Sequence, residues 1–287
     1  MRTIRTRLEG LWKVTALTGA ALVLAACGGG GGATATDAPT ATPTTETATA
    51  GDDATSAEGT DITVVASTSW VGAFAELAGA TDVTVLAPAD LQHPPDYDPR
   101  PSDLQALDDA DLVVLGGFES FAEQMQEAVG SDAATVQVEA LNTLPVINEQ
   151  VMKIAAELGT EEIATQNLAD FEDQVLEIQA ELRAALAGGP ATVASHTFMQ
   201  PWPNFAGFEI VGTYGPAPMS PSELQEFVGL SPDAVIDNAH VPGGAALAEE
   251  LGIPTVATRN FPGPGESLID VFQYNADLMI DTFGGES

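Results

Sequence analysis

The chain holds three histidines, His93, His196 and His240, and each follows a predicted strand by a few residues. Imidazole is the commonest metal ligand among side chains. His93 sits in Leu91-Gln-His-Pro-Pro-Asp-Tyr-Asp-Pro-Arg-Pro-Ser-Asp-Leu104. There Pro94, Pro95, Pro99 and Pro101 fix φ and restrict the residues before them, so the loop loses little entropy on ordering. His196 directly follows the first strand of the second half, and His240 lies in Asp237-Asn-Ala-His-Val-Pro-Gly243. Glu266 lies in the loop after the last strand. Three imidazoles and a carboxylate make a four-ligand shell that suits Zn²⁺, whereas Mn²⁺ prefers more oxygen donors. Each residue also has a plain structural role open to it. A histidine near a strand end can be a hydrogen-bonded loop residue, His240 can start a turn, and Glu266 can place negative charge at a helix N-terminus. The shared reading gains from the absence of any further histidine in the chain.

Open α/β sheets bind ligands at the carboxyl ends of their strands, and the hydropathy pattern from Asp61 onward is of that kind. Short β-branched runs at 62–66, 82–86, 111–115 and 134–138 alternate with helical stretches at 70–79, 101–110 and 118–129. Apolar runs of this length between helices indicate strands buried on both faces, hence a parallel sheet. The first lobe is expected at 61–145 and a second at 190–287, with strands at 191–195, 209–213, 233–237 and 254–258. The helices between them are expected at 221–228, 243–251 and 266–283. Connecting helices fill 146–189. The first is expected over 147–158 and stops at Gly159, a left-handed cap. Thr160 is placed to cap the second, whose apolar positions run from Ile163 to Leu186 at helical spacing. This rod of roughly 40 Å is long enough to join two lobes and limit their relative motion. The fold class is therefore α/β, two parallel-sheet lobes joined by a long rigid backbone helix. An internal echo points to duplication: Arg100-Pro-Ser-Asp-Leu-Gln105 matches Ser220-Pro-Ser-Glu-Leu-Gln225, both good helix starts.

The amino-terminal 26 residues read as a secretory signal: a basic start, an apolar run from Ala16 to Ala26, then Cys27. The apolar run is short of the roughly 20 residues that a spanning helix needs. Leu24-Ala-Ala-Cys27 resembles the bacterial lipobox, which makes Cys27 the lipidation site. As the only cysteine it forms no intrachain disulfide. Residues 27–60, rich in Gly, Ala, Thr, Pro and acids, read as a disordered tether from the membrane. The formal net charge is −34, and beyond residue 26 only Arg100, Lys153, Arg183 and Arg259 are basic. Nucleic acid is excluded as a partner, because no cationic surface exists to displace phosphate counterions. The acid excess is a solvated surface, suited to a salty or alkaline habitat. No phosphate-loop lysine, Gly-x-Ser-x-Gly, His-Glu-x-x-His or Cys-x-x-Cys is present.

Several segments resemble the metal-specific, zinc- and manganese-binding solute-binding lipoproteins of ABC transporters. They are Val65-Ala-Ser-Thr-Ser69, Asp96-Tyr-Asp-Pro-Arg-Pro-Ser-Asp-Leu104, Asp109-Ala-Asp-Leu-Val-Val114, Val193-Ala-Ser-His196 and Glu266-Ser-Leu-Ile-Asp-Val-Phe-Gln-Tyr-Asn275. The resemblance implies metal held between two lobes and delivered to a membrane permease by a lipid-anchored monomer on the extracytoplasmic face. It puts His196 and Glu266 on ligand positions, with Glu in place of the family's usual Asp. Two departures stand out. The family histidine two residues before the tyrosine is Pro95 here, so His93 serves only with a shifted loop. The Asn-Pro-His-x-Trp motif before the backbone helix is replaced by Leu144-Pro-Val-Ile147. His240 is expected to supply the lost imidazole. The expected function is capture of Zn²⁺, with Mn²⁺ second. A zinc hydrolase, an adhesin-like lipoprotein and a receptor for a metal chelate are the competing classes. The hydrolase would need an open coordination position and a general base such as Asp90 or Asp96.

Overall fold

The computed structural model describes residues 62–284. The predicted signal sequence, Cys27 and the tether to residue 60 lie outside the described residues. In chain order the elements are β1 (Thr63–Ala66), α1 (Ser69–Leu77), β2 (Asp82–Val85), α2 (Pro101–Leu104), β3 (Leu112–Leu115), α3 (Ala122–Ala128), β4 (Ala134–Gln137), α4 (Leu144–Leu158) and α5 (Glu161–Ala185). The second half continues with β5 (Thr192–His196), α6 (Pro201–Ala206), β6 (Glu209–Tyr214), α7 (Pro221–Leu230), β7 (Ala234–Asn238), α8 (Ala245–Leu251), β8 (Thr255–Thr258) and α9 (Leu268–Phe283).

The strands form two four-stranded parallel sheets with the same order, β2-β1-β3-β4 and β6-β5-β7-β8. In each lobe the order reverses between the first strand and the third. Open α/β sheets bind ligands at such a switch point, outside the carboxyl ends of the strands. The sequence echo falls on topologically equivalent helices, since α2 follows β2 and α7 follows β6. In both, the acid three residues on accepts the backbone N–H that starts the motif, Asp103 from Arg100 at 2.9 Å and Glu223 from Ser220 at 2.7 Å.

The 25-residue α5 presents Leu168, Phe171, Val175, Ile178 and Leu182 to one continuous core. That core includes Val71 and Phe74 of α1, Ile154 of α4, and Trp202 and Phe272 of the second lobe. Phe171 meets Phe272 edge-on at 5.7 Å. Both lobes are therefore packed on the same rod. Among the described residues, no helix is long and apolar enough to cross a membrane.

Departures from expectation trace to particular side chains. Gly159 takes φ 69° and ends α4 as expected, but Thr160 makes no side-chain cap. Its hydroxyl donates to the Ala78 carbonyl at 2.5 Å, tying the start of α5 to the end of α1. The helix expected from Phe118 begins only at Ala122, because residues 116–121 form a turn around the buried carboxylate of Glu119. Helix α6 starts at Pro201 and holds Pro203 as well. Both prolines fall in its first turn, where their missing N–H groups have no intrahelical partner to lose.

Candidate metal centre

The strand-end loops of the two lobes meet in a seam. Gln92, after β2, donates from Nε2 to the Ala239 carbonyl after β7 at 3.2 Å. The Ser69 hydroxyl donates to the Pro262 carbonyl at 2.8 Å, and Asn142 donates to the Asn260 carbonyl at 2.7 Å. The predicted site residues lie along this seam or at the strand ends of the second lobe.

His240 is the best oriented of them. Its Nδ1 lies 2.8 Å from the Gln92 carbonyl oxygen, so Nδ1 carries the proton and donates across the seam. The lone pair is then left on Nε2, which is buried and without a partner. The ring stacks on Phe261 with centroids 4.2 Å apart. The loop that carries it is anchored by Asp237, which is 2 % exposed. The Asp237 carboxylate accepts N–H groups from Asn238 at 2.9 Å and from Gly244 at 2.8 Å. Burial pushes the His240 pKa down, the Gln92 contact opposes this, and charge on neighbouring His93 or Arg259 pushes it down further. A neutral imidazole whose other nitrogen is held by a carbonyl is the usual arrangement of a metal-ligating histidine.

His196 ends β5 in the second lobe and is fully buried. Its Nδ1 accepts the Phe198 N–H at 3.2 Å. The proton of the neutral ring therefore sits on Nε2, which has no acceptor. Tyr214 and Phe198 wall the ring at 5.7 and 5.3 Å. Gly215 (φ 85°) passes so close that a Cβ there would lie 2.6 Å from Nε2. Burial pushes the His196 pKa down, partly opposed by the charge of Asp237.

His93 is partly exposed, at 34 % of its side chain, with Nδ1 2.9 Å from Asp96 Oδ2. That approach lacks hydrogen-bond alignment. The loop bearing it is pinned as its prolines suggest: the Pro95 carbonyl accepts the Ser120 N–H at 2.9 Å, and Tyr97 donates to Asp103 at 2.5 Å.

Glu266 already has a partner. Its Oε2 lies 2.9 Å from Arg259 Nη1 and accepts the Gly263 N–H at 2.7 Å. Burial raises its pKa, but the Arg259 hydrogen bond and charge together with Gly263 outweigh that and hold the carboxyl below its ordinary range. Among the described residues, no three His, Cys, Asp or Glu side chains are grouped closely enough to hold one ion. The structure therefore pairs His240 with the His93 loop, leaves His196 apart at the end of β5, and ties Glu266 to Arg259.

Sequence reasoning missed Glu119, Asp237 and Arg259. The first two follow or end fully buried strands, and an acid at such a place was the available signal. Arg259 carried only the signal of rarity. Apart from Asn148 on α4, the buried side-chain atoms left without a partner among the described residues are Thr68 Oγ1, His93 Nδ1, Glu119 Oε2, His196 Nε2, His240 Nε2 and Arg259 Nε. All six lie at the carboxyl ends of strands or in the loops that follow them.

Two four-stranded parallel sheets packed on a shared helix define a two-lobed α/β architecture. Residues 64–153 match the family model of ZnuA, the periplasmic component A of a zinc-uptake complex. The match spans the first lobe and part of α4. Solved structures extend the likeness in fold over both lobes. The solute-binding protein FpvC of Pseudomonas aeruginosa, in complex with Mn²⁺, is 20% identical with a TM-score of 0.61, over 77% of this chain and 97% of that one. ZnuA is 18% identical with a TM-score of 0.59, over 77% and 98%. The metal-dependent lipoprotein YcdH of Bacillus subtilis is 17% identical with a TM-score of 0.57, over 78% and 100%. No curated protein matches the chain in sequence. The resemblance to zinc- and manganese-specific solute-binding proteins thus holds in sequence over residues 64–153 and in fold over both lobes.

Proposed function

We propose that this chain is the extracytoplasmic receptor of an ABC importer, capturing a divalent metal ion between its lobes and delivering it to the permease. Zn²⁺ is the favoured cargo and Mn²⁺ the second. The observation that carries the reading is His240 Nε2, a buried ring nitrogen that bears the lone pair and has no partner. Leaving such a group unmatched costs about 1–3 kcal/mol, and a protein retains that cost where the partner comes from outside. His93, His196, His240 and Glu266 are the proposed ligands. In this reading His240 is already oriented, His196 exchanges its Phe198 contact for the ion, and Glu266 leaves Arg259. A shell filled by side chains is a carrier's rather than an enzyme's. Lipid on Cys27, with the segment to residue 60 as tether, would hold the receptor at the membrane as a monomer.

The deciding measurement is elemental analysis of protein purified without added metal, joined to thermal unfolding with and without chelator. Zinc at about 100 times its dissociation constant stabilises by about 2.7 kcal/mol, so chelation should lower the melting temperature visibly. Protein that carries no metal and does not respond to added Zn²⁺ or Mn²⁺ is not this receptor.

A further inference from the structure

The strand ends of the first lobe carry oxygen atoms that no part of the zinc reading uses. Ser67 and Thr68 follow β1, and Glu119 follows β3, the two strands between which the sheet order reverses. Glu119 is 5 % exposed and Thr68 3 %. One carboxylate oxygen of Glu119, Oε1, accepts the Ser67 hydroxyl and the Gly116 N–H, the latter at 3.0 Å. Those two bonds aim the carboxylate. The other oxygen, Oε2, is buried with no partner, and so is the hydroxyl of Thr68. Thr68 stands at the N-cap of α1, where a threonine hydroxyl ordinarily caps the helix, yet it makes no such bond. No ion pair among the described residues includes Glu119. A buried carboxyl group with an unmatched oxygen is costly, and two donors hold this one in place.

We propose that Glu119 Oε2 and Thr68 Oγ1 form an oxygen half-site for the divalent cargo on the first lobe, distinct from the imidazoles, and that this half-site is what admits Mn²⁺. The inference rests on the receptor reading above. Its chemistry is that of hard-ion binding: carboxylate, hydroxyl and retained waters suit Mn²⁺, whereas imidazoles alone suit Zn²⁺.

The test is competition binding of Mn²⁺ and Zn²⁺, measured separately, on the wild type, Glu119→Gln and Thr68→Val. Glutamine keeps an oxygen for Ser67 and Gly116 but loses the charge, and valine keeps the shape of Thr68. Loss even of a group that merely orients a ligand costs about 10- to 100-fold in affinity. Glu119→Gln should therefore weaken Mn²⁺ by at least about tenfold and Zn²⁺ by clearly less. Thr68→Val should act in the same direction by a smaller factor. Unchanged Mn²⁺ affinity in a folded Glu119→Gln protein overturns the half-site while leaving the receptor reading intact. If that variant does not fold, unchanged Mn²⁺ affinity in Thr68→Val overturns it. A wild type that takes up Zn²⁺ but no Mn²⁺ also overturns it, and one that takes up neither overturns both.

Discussion

Asn142 of the first lobe and Asn260 of the second are joined across the seam, the side-chain amide of one donating to the backbone carbonyl of the other at 2.7 Å. Each also accepts an indole N–H at 2.9 Å, Asn142 from Trp70 and Asn260 from Trp202. One chain of hydrogen bonds therefore runs from the first helix of one lobe to the core of the other. All four residues are buried. Replacing Asn142 by Ala strands the Trp70 indole and the Asn260 carbonyl together. At about 1–3 kcal/mol for each buried group left unpaired, the loss should be about 2–6 kcal/mol in urea unfolding. A change below about 0.5 kcal/mol, the scale of an ordinary surface substitution, would mean that the bridge does not hold the lobes.

His240 and Gln92 invite a paired substitution with unequal effects. The His240 ring bonds to the backbone carbonyl of Gln92, not to its side chain. His240→Ala should weaken zinc binding by at least about tenfold. Gln92→Ala keeps the carbonyl and loses only the bond to Ala239, so zinc affinity should fall by much less. Calorimetric titration of both variants checks this, and equal losses would place the ligand role elsewhere.

Burial depresses the pKa of both His196 and His240 from the ordinary 6.5. The folded protein then binds fewer protons than the unfolded chain just below that value, so stability rises with pH in that window. Metal-free protein should hold the histidine contribution above about pH 6.5 and lose it as pH falls through the depressed folded values. Carboxylates held low, such as Glu266 and Asp270, lose their contribution only in more acid solution. Melting temperature followed from about pH 7 to pH 5 should slope downward, and His240→Asn should flatten the slope.

Two glycines with positive φ separate backbone strain from crowding. Gly159 (φ 69°) has nothing within 4 Å of an added Cβ, so Gly159→Ala should cost only the left-handed conformation, about 1–2 kcal/mol. At Gly215 the same strain comes with a contact of 2.6 Å to His196 Nε2. Gly215→Ala should cost more and displace the His196 ring, weakening zinc binding as well. Denaturation and zinc titration of the two variants, side by side, read the difference.

Much of the fold was legible because its signals are local. Apolar runs of four or five residues, Gly159 after the α4 pattern and the capping residues around Pro101 and Pro221 each act within one turn or one strand. The start of α3 slipped because residues 116–121 wrap the Glu119 carboxylate, whereas Thr160 stands at the N-cap of α5 as expected and only its hydroxyl turned away, to the distant Ala78.

By itself the sequence determined the alternation of strands and helices, the long rod between two repeats, and the placing of every histidine and of Glu266 at the end of a strand or in the loop after one. These follow from periodicity and from the rule that parallel strands carry their loops at one end. Only the tertiary structure decided what those side chains face. The Gln92 carbonyl that orients His240 lies 148 residues away, Arg259 claims Glu266 at 2.9 Å, and Glu119 is left with a buried, unmatched oxygen. Such pairings depend on how two sheets settle on one helix, and no local pattern encodes the direction of a ring nitrogen or the desolvation of a carboxylate.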